Sequence, residues 1–322
     1  MKWLRAQSEQ LPPSTRDEVD NVAIRGLHRT IARQKGGFAH KWAELLDSFV
    51  ASEAERFAPQ REASGRALVE IRYRNGERFV RCALPSAASR AEPPLRKGGT
   101  YLITGVAGAI GQVVARYLCD EWKADVILCG PSKKEAELPW PYLRADVTDL
   151  VEARALVAQV KSRYGALDGI IHLAGVIRDT SGDNAIEDEL HAALGSEVQG
   201  ALHLDEATKD EDLACFIVFS APAAVHLGQF DYVHANSFMD HFAIVRHEQV
   251  QRSERFGKTL SIRWPAWGDG EIPFVREESG IHDKRAMRAL DQDEALELIR
   301  EVLQIDAPQI VVTQGSRAAK RR

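Results

Sequence analysis

The sequence predicts a doubly wound parallel α/β sheet with a smaller N-terminal subdomain. Apolar runs, each a candidate strand, alternate with helical patterns after about residue 98 of the 322-residue chain, and such alternation is typical of a parallel sheet covered on both faces. A glycine-rich turn directly follows the first run, where a strand would pass into a helix. The candidate strands are residues 100–104, 125–129, 141–145, 169–173, 214–219, 259–264 and 309–313.

A Pro-rich, polar stretch at residues 86–98 divides the chain. Before it, residues 18–57 carry helical apolar spacing, and residues 67–82 alternate on both sides of Asn75-Gly76. An Asn-Gly pair between alternating runs indicates a β-hairpin, because both residues tolerate positive φ. We therefore expect a partial structural subdomain at 1–92, a Rossmann-like subdomain at 93–316 and a basic tail at 317–322.

Composition narrows the class of protein. Hydrophobic residues make up 44% and charged residues 28%, as is usual for globular proteins, and the net charge of -5 argues against a nucleic-acid surface. The four cysteines are scattered without metal-binding spacing, which favours reduced thiols and no metal. No apolar run approaches the roughly 18 residues of a membrane helix. We expect a cytoplasmic protein without nucleic-acid or membrane partners.

The glycine-rich turn has the spacing of a dinucleotide-binding fingerprint, Thr104-Gly-Val-Ala-Gly108-Ala-Ile-Gly111. Its glycines allow a tight bend and close approach of the backbone to a pyrophosphate, and the helix N-terminus adds positive partial charge. Asp146 follows the third strand and is expected to bind the adenine amino group; the alternative is a solvated strand-end carboxylate. The candidate cofactor-binding residues are Thr104, Gly105, Gly108, Ile110, Gly111, Asp146, Val147, Ala174 and Gly175.

Several motifs between Pro94 and Gln314 carry a family resemblance. They are Gly98-Gly-Thr-Tyr-Leu-Ile-Thr-Gly105, Ile170-Ile-His-Leu-Ala-Gly-Val-Ile177, Leu204-Asp-Glu-Ala-Thr208, Tyr232-Val-His-Ala-Asn236 and Trp264-Pro-Ala-Trp267. In this combination the chain resembles the ketoreductase domain of modular type I polyketide synthases, within the short-chain dehydrogenase/reductase superfamily. The segment Val69–Arg81 resembles the end of that family's N-terminal structural subdomain, which is truncated here.

The resemblance implies a reaction and its partners. In this family NADPH delivers hydride to a β-keto group on an acyl carrier protein, beside neighbouring synthase domains, and a tyrosine protonates the developing alkoxide. Tyr232 and Asn236 match the tyrosine and the asparagine that holds a proton-relay water. A lysine normally tunes the tyrosine electrostatically, and a serine polarises the carbonyl.

Three positions depart from the family pattern. Glu197 stands where the lysine is expected, and Ala221 stands where the serine is expected, with Ser220 one residue before it. The stretch from Ala221 to Tyr232 is also about two residues short. Pro131 replaces the arginine that clamps the 2′-phosphate of NADPH, and proline supplies neither charge nor a backbone donor. Lys133 or Lys134 would offer only flexible point charges.

These departures leave three hypotheses. The leading one is a catalytically impaired or inactive ketoreductase-like domain, kept as a structural or docking element, with NADPH binding weak or lost. The alternative is an active NADPH-dependent reductase that uses Tyr232, Asn236 and a recruited Ser220. The third is a redox-neutral, epimerase-like role that needs only Tyr232. For Ser220 the competing interpretation is a strand-end hydroxyl that bonds its own backbone.

Overall fold

The computed structural model describes nine segments of the chain. These are residues 55–61, 68–74, 77–80, 92–105, 109–132, 138–173, 195–221, 230–265 and 290–312; the first three, residue 109 and residues 230–234 are described by their backbone alone. The helical spacing predicted for residues 18–54 lies outside these segments.

Three strands form an antiparallel sheet in the order β1-β2-β3. They are β1 Glu55–Arg61, β2 Leu68–Arg74 and β3 Glu77–Val80. Arg74 pairs with Glu77 across Asn75-Gly76, two residues that lie outside the described segments. Strand β1 corrects the predicted helical segment 18–57, because residues 55–57 belong to a strand. Pro59 obscured the strand in the sequence, and proline is tolerated there because β1 lies at the sheet edge.

Seven strands form a parallel sheet in the order β10-β9-β8-β7-β4-β5-β6. The bounds are β4 Thr100–Thr104, β5 Asp125–Gly130, β6 Tyr142–Arg144, β7 Gly169–His172, β8 Cys215–Ser220, β9 Lys258–Arg263 and β10 Gln309–Val311. This confirms the predicted α/β fold, and each predicted strand is present with ends shifted by at most two residues. The strand order reverses between β4 and β7, and ligands bind such sheets at this switch point.

Within the described segments, five α-helices and one π-helix accompany this sheet. They are α1 Ala109–Trp122, α2 Leu150–Tyr164, the π-helix Gly195–Gln199, α3 Gly200–Ala207, α4 Phe230–Gln251 and α5 Gln292–Leu303. Local sequence fixes several helix ends. Asp149 accepts the Val151 and Glu152 amides at the start of α2, and Asp291 forms a capping box with Glu294 at the start of α5.

The seven-stranded sheet is buried on both faces. Neighbouring residues of β4 alternate between two core clusters: Leu102 lies in one, Tyr101 and Ile103 in the other. The first cluster includes residues of α2, α3 and α4, and the second includes residues of α1 and α5. Burial on both faces explains why the central strands β4, β7 and β8 consist mostly of apolar residues.

The segment before β4 is fixed at the amino-terminal edge of the sheet. The Arg96 guanidinium donates to Asp168 Oδ1 (2.8 Å), to the Asp212 carbonyl oxygen (2.8 Å) and to Asp212 Oδ2 (2.9 Å). The other oxygen of Asp168 accepts the Thr100 amide at 2.8 Å. Arg96 thus joins the segment that enters β4 to residues next to β7 and β8.

Cys119, Cys129 and Cys215 are free cysteines. Burial raises the pKa of the Cys129 and Cys215 thiols to about 12, so both remain protonated at neutral pH.

Within the described segments, no helix has the length and apolar character needed to cross a membrane. The same residues contain no group of three or more His, Cys, Asp or Glu that could hold a metal ion.

Candidate active site

The glycine turn lies at the switch point of the sheet, directly after β4. Gly105 has φ +79°, a conformation that side chains disfavour and glycine adopts readily. Helix α1 then begins at Ala109. Gly108, the middle glycine of the fingerprint, lies outside the described residues. Gly105 and the N-terminus of α1 together offer backbone amides and positive partial charge for an anion.

The predicted cofactor-binding residues differ in which of their polar groups remain available to a ligand. The hydroxyl of Thr104 is buried against His172, so only the Thr104 backbone remains for a ligand. Asp146 accepts the Thr148 amide at 2.9 Å through Oδ1, while its Oδ2 has no partner in the described part of the chain. The Asp146 carboxylate therefore keeps an acceptor suited to an adenine amino group. Gly111 is buried in α1 and Ile110 half-buried; Ala174 and Gly175 lie outside the described segments.

His172, at the end of β7, connects the glycine turn to the π-helix. Its Nδ1 lies 2.7 Å from Thr104 Oγ1, and its Nε2 lies 3.1 Å from the carbonyl oxygen of Glu197. A carbonyl can only accept, so Nε2 carries the proton; Nδ1 of the neutral ring then accepts from the Thr104 hydroxyl. A Cβ at Gly200 would lie 2.8 Å from the ring, which requires glycine there. Sequence reasoning missed His172, although a histidine that ends an otherwise apolar strand is a usable signal.

Stability should fall between pH 7 and pH 4.5 partly because of His172. Burial lowers the pKa of His172 from 6.5 to about 4, so the unfolded chain takes up a proton first as the pH falls. The stabilisation that comes from the neutral His172 ring is complete above about pH 6.5 and is lost towards pH 4. At pH 4.5 this loss lowers the free energy of unfolding by roughly 2–3 kcal/mol. Urea unfolding of the wild type and of His172→Gln at both pH values measures it. Equal pH dependence in the two proteins would contradict the assignment.

Glu197, assigned from the sequence to the lysine position of the family pattern, lies in the π-helix. The Glu197 residue is buried, with 5% of its surface exposed, and its backbone carbonyl is held by His172. π-helical turns are rare and occur often at functional sites.

Ser220 is directed into the protein rather than toward a substrate. Its hydroxyl donates to Asp240 Oδ1 at 2.9 Å and lies 3.3 Å from the Ser261 hydroxyl, and the residue is 6% exposed. Asp240 also binds the guanidinium of Arg263, whose Nε lies 2.6 Å from its Oδ2. The interpretation that Ser220 bonds its own backbone is corrected, because its partners are side chains on α4 and β9.

Asn236 joins helix α4 to the end of β8. Its Oδ1 accepts the Ala221 amide at 2.6 Å, and the residue is 4% exposed. Tyr232 lies one helical turn earlier on α4, and its side chain is not among those described. The predicted pair therefore shares one helix, and that helix is fixed at residue 221, the position that is serine in the family pattern.

Two side chains of β6 hold the segment that follows β5. The Tyr142 hydroxyl donates to the Ser132 carbonyl oxygen at 3.0 Å, and Arg144 Nε donates to the Pro131 carbonyl oxygen at 2.9 Å. A Cβ at Gly130 would lie 2.7 Å from the Tyr142 hydroxyl, so this packing requires glycine. Sequence reasoning did not identify Arg144.

The parallel sheet, its glycine turn at the switch point and the Tyr-x-x-x-Asn helix beside β8 define a short-chain dehydrogenase/reductase fold. The Gly105 turn, the helix start and the open oxygen of Asp146 suit a dinucleotide. A family model described as "KR domain" matches residues 99–269, more than half of the chain. The chain belongs to this family, the ketoreductase domains of modular polyketide synthases.

Relatives and solved structures agree with this assignment. Over 263 residues the chain is 34% identical to polyketide synthase PksN of Bacillus subtilis (strain 168), an alignment of 76% of this chain and 5% of PksN. PksL of the same organism is 35% identical over 263 residues, covering 76% of this chain and 6% of PksL. The chain thus spans about one-twentieth of these synthases.

Two solved structures illustrate the fold. A ketoreductase domain from the bacillaene assembly line has 32% identity and a TM-score of 0.64, over 77% of this chain and 63% of that one. A short-chain dehydrogenase of Burkholderia cenocepacia J2315 in complex with NADP has a TM-score of 0.55 over 68% of this chain and 98% of that one. Its 18% identity supports likeness of fold alone.

Proposed function

We propose that this chain is a ketoreductase-like domain whose reductive chemistry is impaired or lost, kept as a structural or docking element of a polyketide synthase. The observation that carries the proposal is the placement of Ser220. The family serine position is Ala221, and the adjacent hydroxyl is already bound to Asp240 and Ser261 in the interior. Recruiting Ser220 would require breaking these two buried contacts.

The charge at Glu197 supports the same conclusion. A bound NADPH would supply hydride, and the chain would have to orient the carbonyl and deliver a proton from Tyr232. Glu197 is buried and lacks the cation by which a lysine would favour the anionic form of the tyrosine phenol. Tyr232 and Asn236 remain, so the residues for proton delivery are retained while two residues that assist it are not.

The alternative of an active reductase has one observation in its favour. Asn236 is fixed to the end of β8 by a 2.6 Å hydrogen bond, so the helix that carries Tyr232 has a defined position beside the sheet. A redox-neutral role would use the same tyrosine without hydride transfer.

The acyl carrier protein and the neighbouring synthase domains are the partners that we propose in all three cases.

The test is NADPH oxidation by the purified protein with a β-ketoacyl thioester. Missing acid–base assistance costs about 10²–10⁴-fold and a missing oxyanion donor about 10²–10³-fold. We therefore expect turnover near background, unchanged by Tyr232→Phe. Robust turnover that Tyr232→Phe abolishes would establish the active alternative. Tyr232-dependent proton exchange next to the carbonyl, without NADPH oxidation, would establish the redox-neutral role.

The docking role has a separate readout. Isothermal titration of the protein with the acyl carrier protein and with the flanking synthase domains is expected to show binding that Tyr232→Phe leaves unchanged. Absence of binding to every one of these partners would contradict a docking role, whatever the turnover measurement shows.

A further inference from the structure

We propose that Arg144 binds the 2′-phosphate of an NADP-type dinucleotide, replacing the arginine that is missing at Pro131. The inference rests on the proposed dinucleotide site and names how that site would recognise its nucleotide. The Arg144 guanidinium is fixed beside Pro131 through Nε alone among the described residues.

The position of Arg144 is defined by β6 and β5 together. Arg144 pairs with Gly130 in the parallel register of these strands, and its Nε donates to the Pro131 carbonyl oxygen at 2.9 Å. The neighbouring Tyr142 hydroxyl holds Ser132 in the same way. The backbone after β5 is therefore bound at two successive residues, and Arg144 is one of the two groups that bind it.

The two terminal nitrogens of Arg144 have no hydrogen-bond or ion-pair partner among the residues that the structure describes. Arg144 is exposed, and its single hydrogen bond within those residues uses Nε. A guanidinium held in this way loses little conformational freedom when it binds a phosphate through two parallel hydrogen bonds.

The chemistry at the end of β5 favours a phosphate over a free ribose hydroxyl. In this fold an acidic residue after the second strand accepts the ribose 2′-hydroxyl of NAD, whereas a nearby arginine accommodates the 2′-phosphate of NADP. From Asp125 to Ser132 the strand and its end contain no acidic residue after the first position. Among the residues that the structure describes, the charged side chain bound to the Pro131 carbonyl oxygen is Arg144.

The experiment compares NADPH with NADH, because the two differ only in the 2′-phosphate. Both affinities are measured by nucleotide fluorescence titration for the wild type, Arg144→Gln and a matched control, Arg116→Gln, an exposed arginine in the middle of α1. We expect the wild type to prefer NADPH roughly 10- to 100-fold, the strength of one charge-assisted contact. Arg144→Gln should lose most of this preference through weaker NADPH binding alone, and Arg116→Gln should keep it.

Other results would overturn the proposal. A preference that survives Arg144→Gln but disappears in Lys133→Ala or Lys134→Ala would assign the phosphate to those lysines. Equal loss of NADPH and NADH in Arg144→Gln would show that Arg144 only supports the backbone after β5. Binding of neither nucleotide by the wild type would refute the dinucleotide site itself. NADPH-selective binding without turnover would support the Arg144 assignment and remain compatible with lost reduction.

Discussion

The variant Glu197→Lys with Ala221→Ser is expected to reduce a β-ketoacyl thioester at least 10²-fold faster than the unmodified protein. The lysine restores a cation that favours the ionised tyrosine, an effect of the size of general acid–base assistance, about 10²–10⁴-fold. The serine restores a hydroxyl for the developing oxyanion, worth about 10²–10³-fold. The Ala221 amide is already bound to Asn236, so the new side chain begins from a fixed backbone. Initial rates of NADPH oxidation measure the gain.

The comparison that makes this result specific is Ser220→Ala in the restored variant. The Ser220 hydroxyl is bound to Asp240 and Ser261, so its removal should lower the free energy of unfolding. The restored rate of reduction should stay nearly unchanged. A restored rate that falls when Ser220 is replaced would contradict the interpretation that the Ser220 side chain points into the protein interior. Failure of the double variant to exceed background, with folding verified by thermal unfolding, would show that the short stretch between residues 221 and 232 limits the site. Adding Pro131→Arg to this variant then separates weak nucleotide binding from slow chemistry.

The substitution Asp205→Asn is expected to lower the free energy of unfolding by about 3–5 kcal/mol. Asp205 on α3 accepts Arg246 Nε at 2.7 Å and Arg255 Nε at 3.0 Å, and the residues are 3%, 1% and 8% exposed. Burial lowers the pKa of Arg246, and the Asp205 carboxylate opposes that shift. An amide in its place would leave the buried Arg246 guanidinium without its anion, and Arg255 with only Glu206 Oε2 at 3.9 Å in the described part of the chain. Urea unfolding at pH 7 measures the loss.

The matched control is an exposed ion pair on the other face of the sheet. Glu121 on α1 binds Arg300 on α5, and the side chains are 37% and 45% exposed. Glu121→Gln should cost less than about 1 kcal/mol, because solvent screens an exposed pair. A loss at Asp205 as small as that at Glu121 would show that the buried arginines find other partners, such as the Thr259 hydroxyl that already accepts from Arg246.

The main sheet could be predicted because its signals are local. Each strand is a short apolar run between helical patterns, and the Gly105 turn is marked by glycine spacing within one strand-to-helix connection. Strand β1 was missed because Pro59 and the charged residues around it give no apolar run, and an edge strand needs none.

The side-chain arrangement of the site could not be predicted, because its partners are distant in sequence. His172 and its partner Thr104 are 68 residues apart in the sequence. Ser220 and Asp240 are separated by 20 residues, and Arg144 and Pro131 by 13 residues. Spacing identified Asn236 as a site residue, but not its hydrogen bond to residue 221. The match to the family motif likewise identified Ser220 as a hydroxyl next to the expected serine position, without showing which way its side chain points.

The ion pairs of Arg96 with Asp168 and Asp212 have a mechanical consequence if neighbouring synthase domains are joined to this chain, as we propose. Tension transmitted along the chain before Leu95 would reach the sheet at its amino-terminal edge, where Arg96 distributes the load to Asp168 and Asp212. The glycine turn and Asn236 lie at the opposite edge, beyond the full length of the strands. Movement of a neighbouring domain would therefore strain this anchor before it disturbs the geometry at residues 105, 172 and 236.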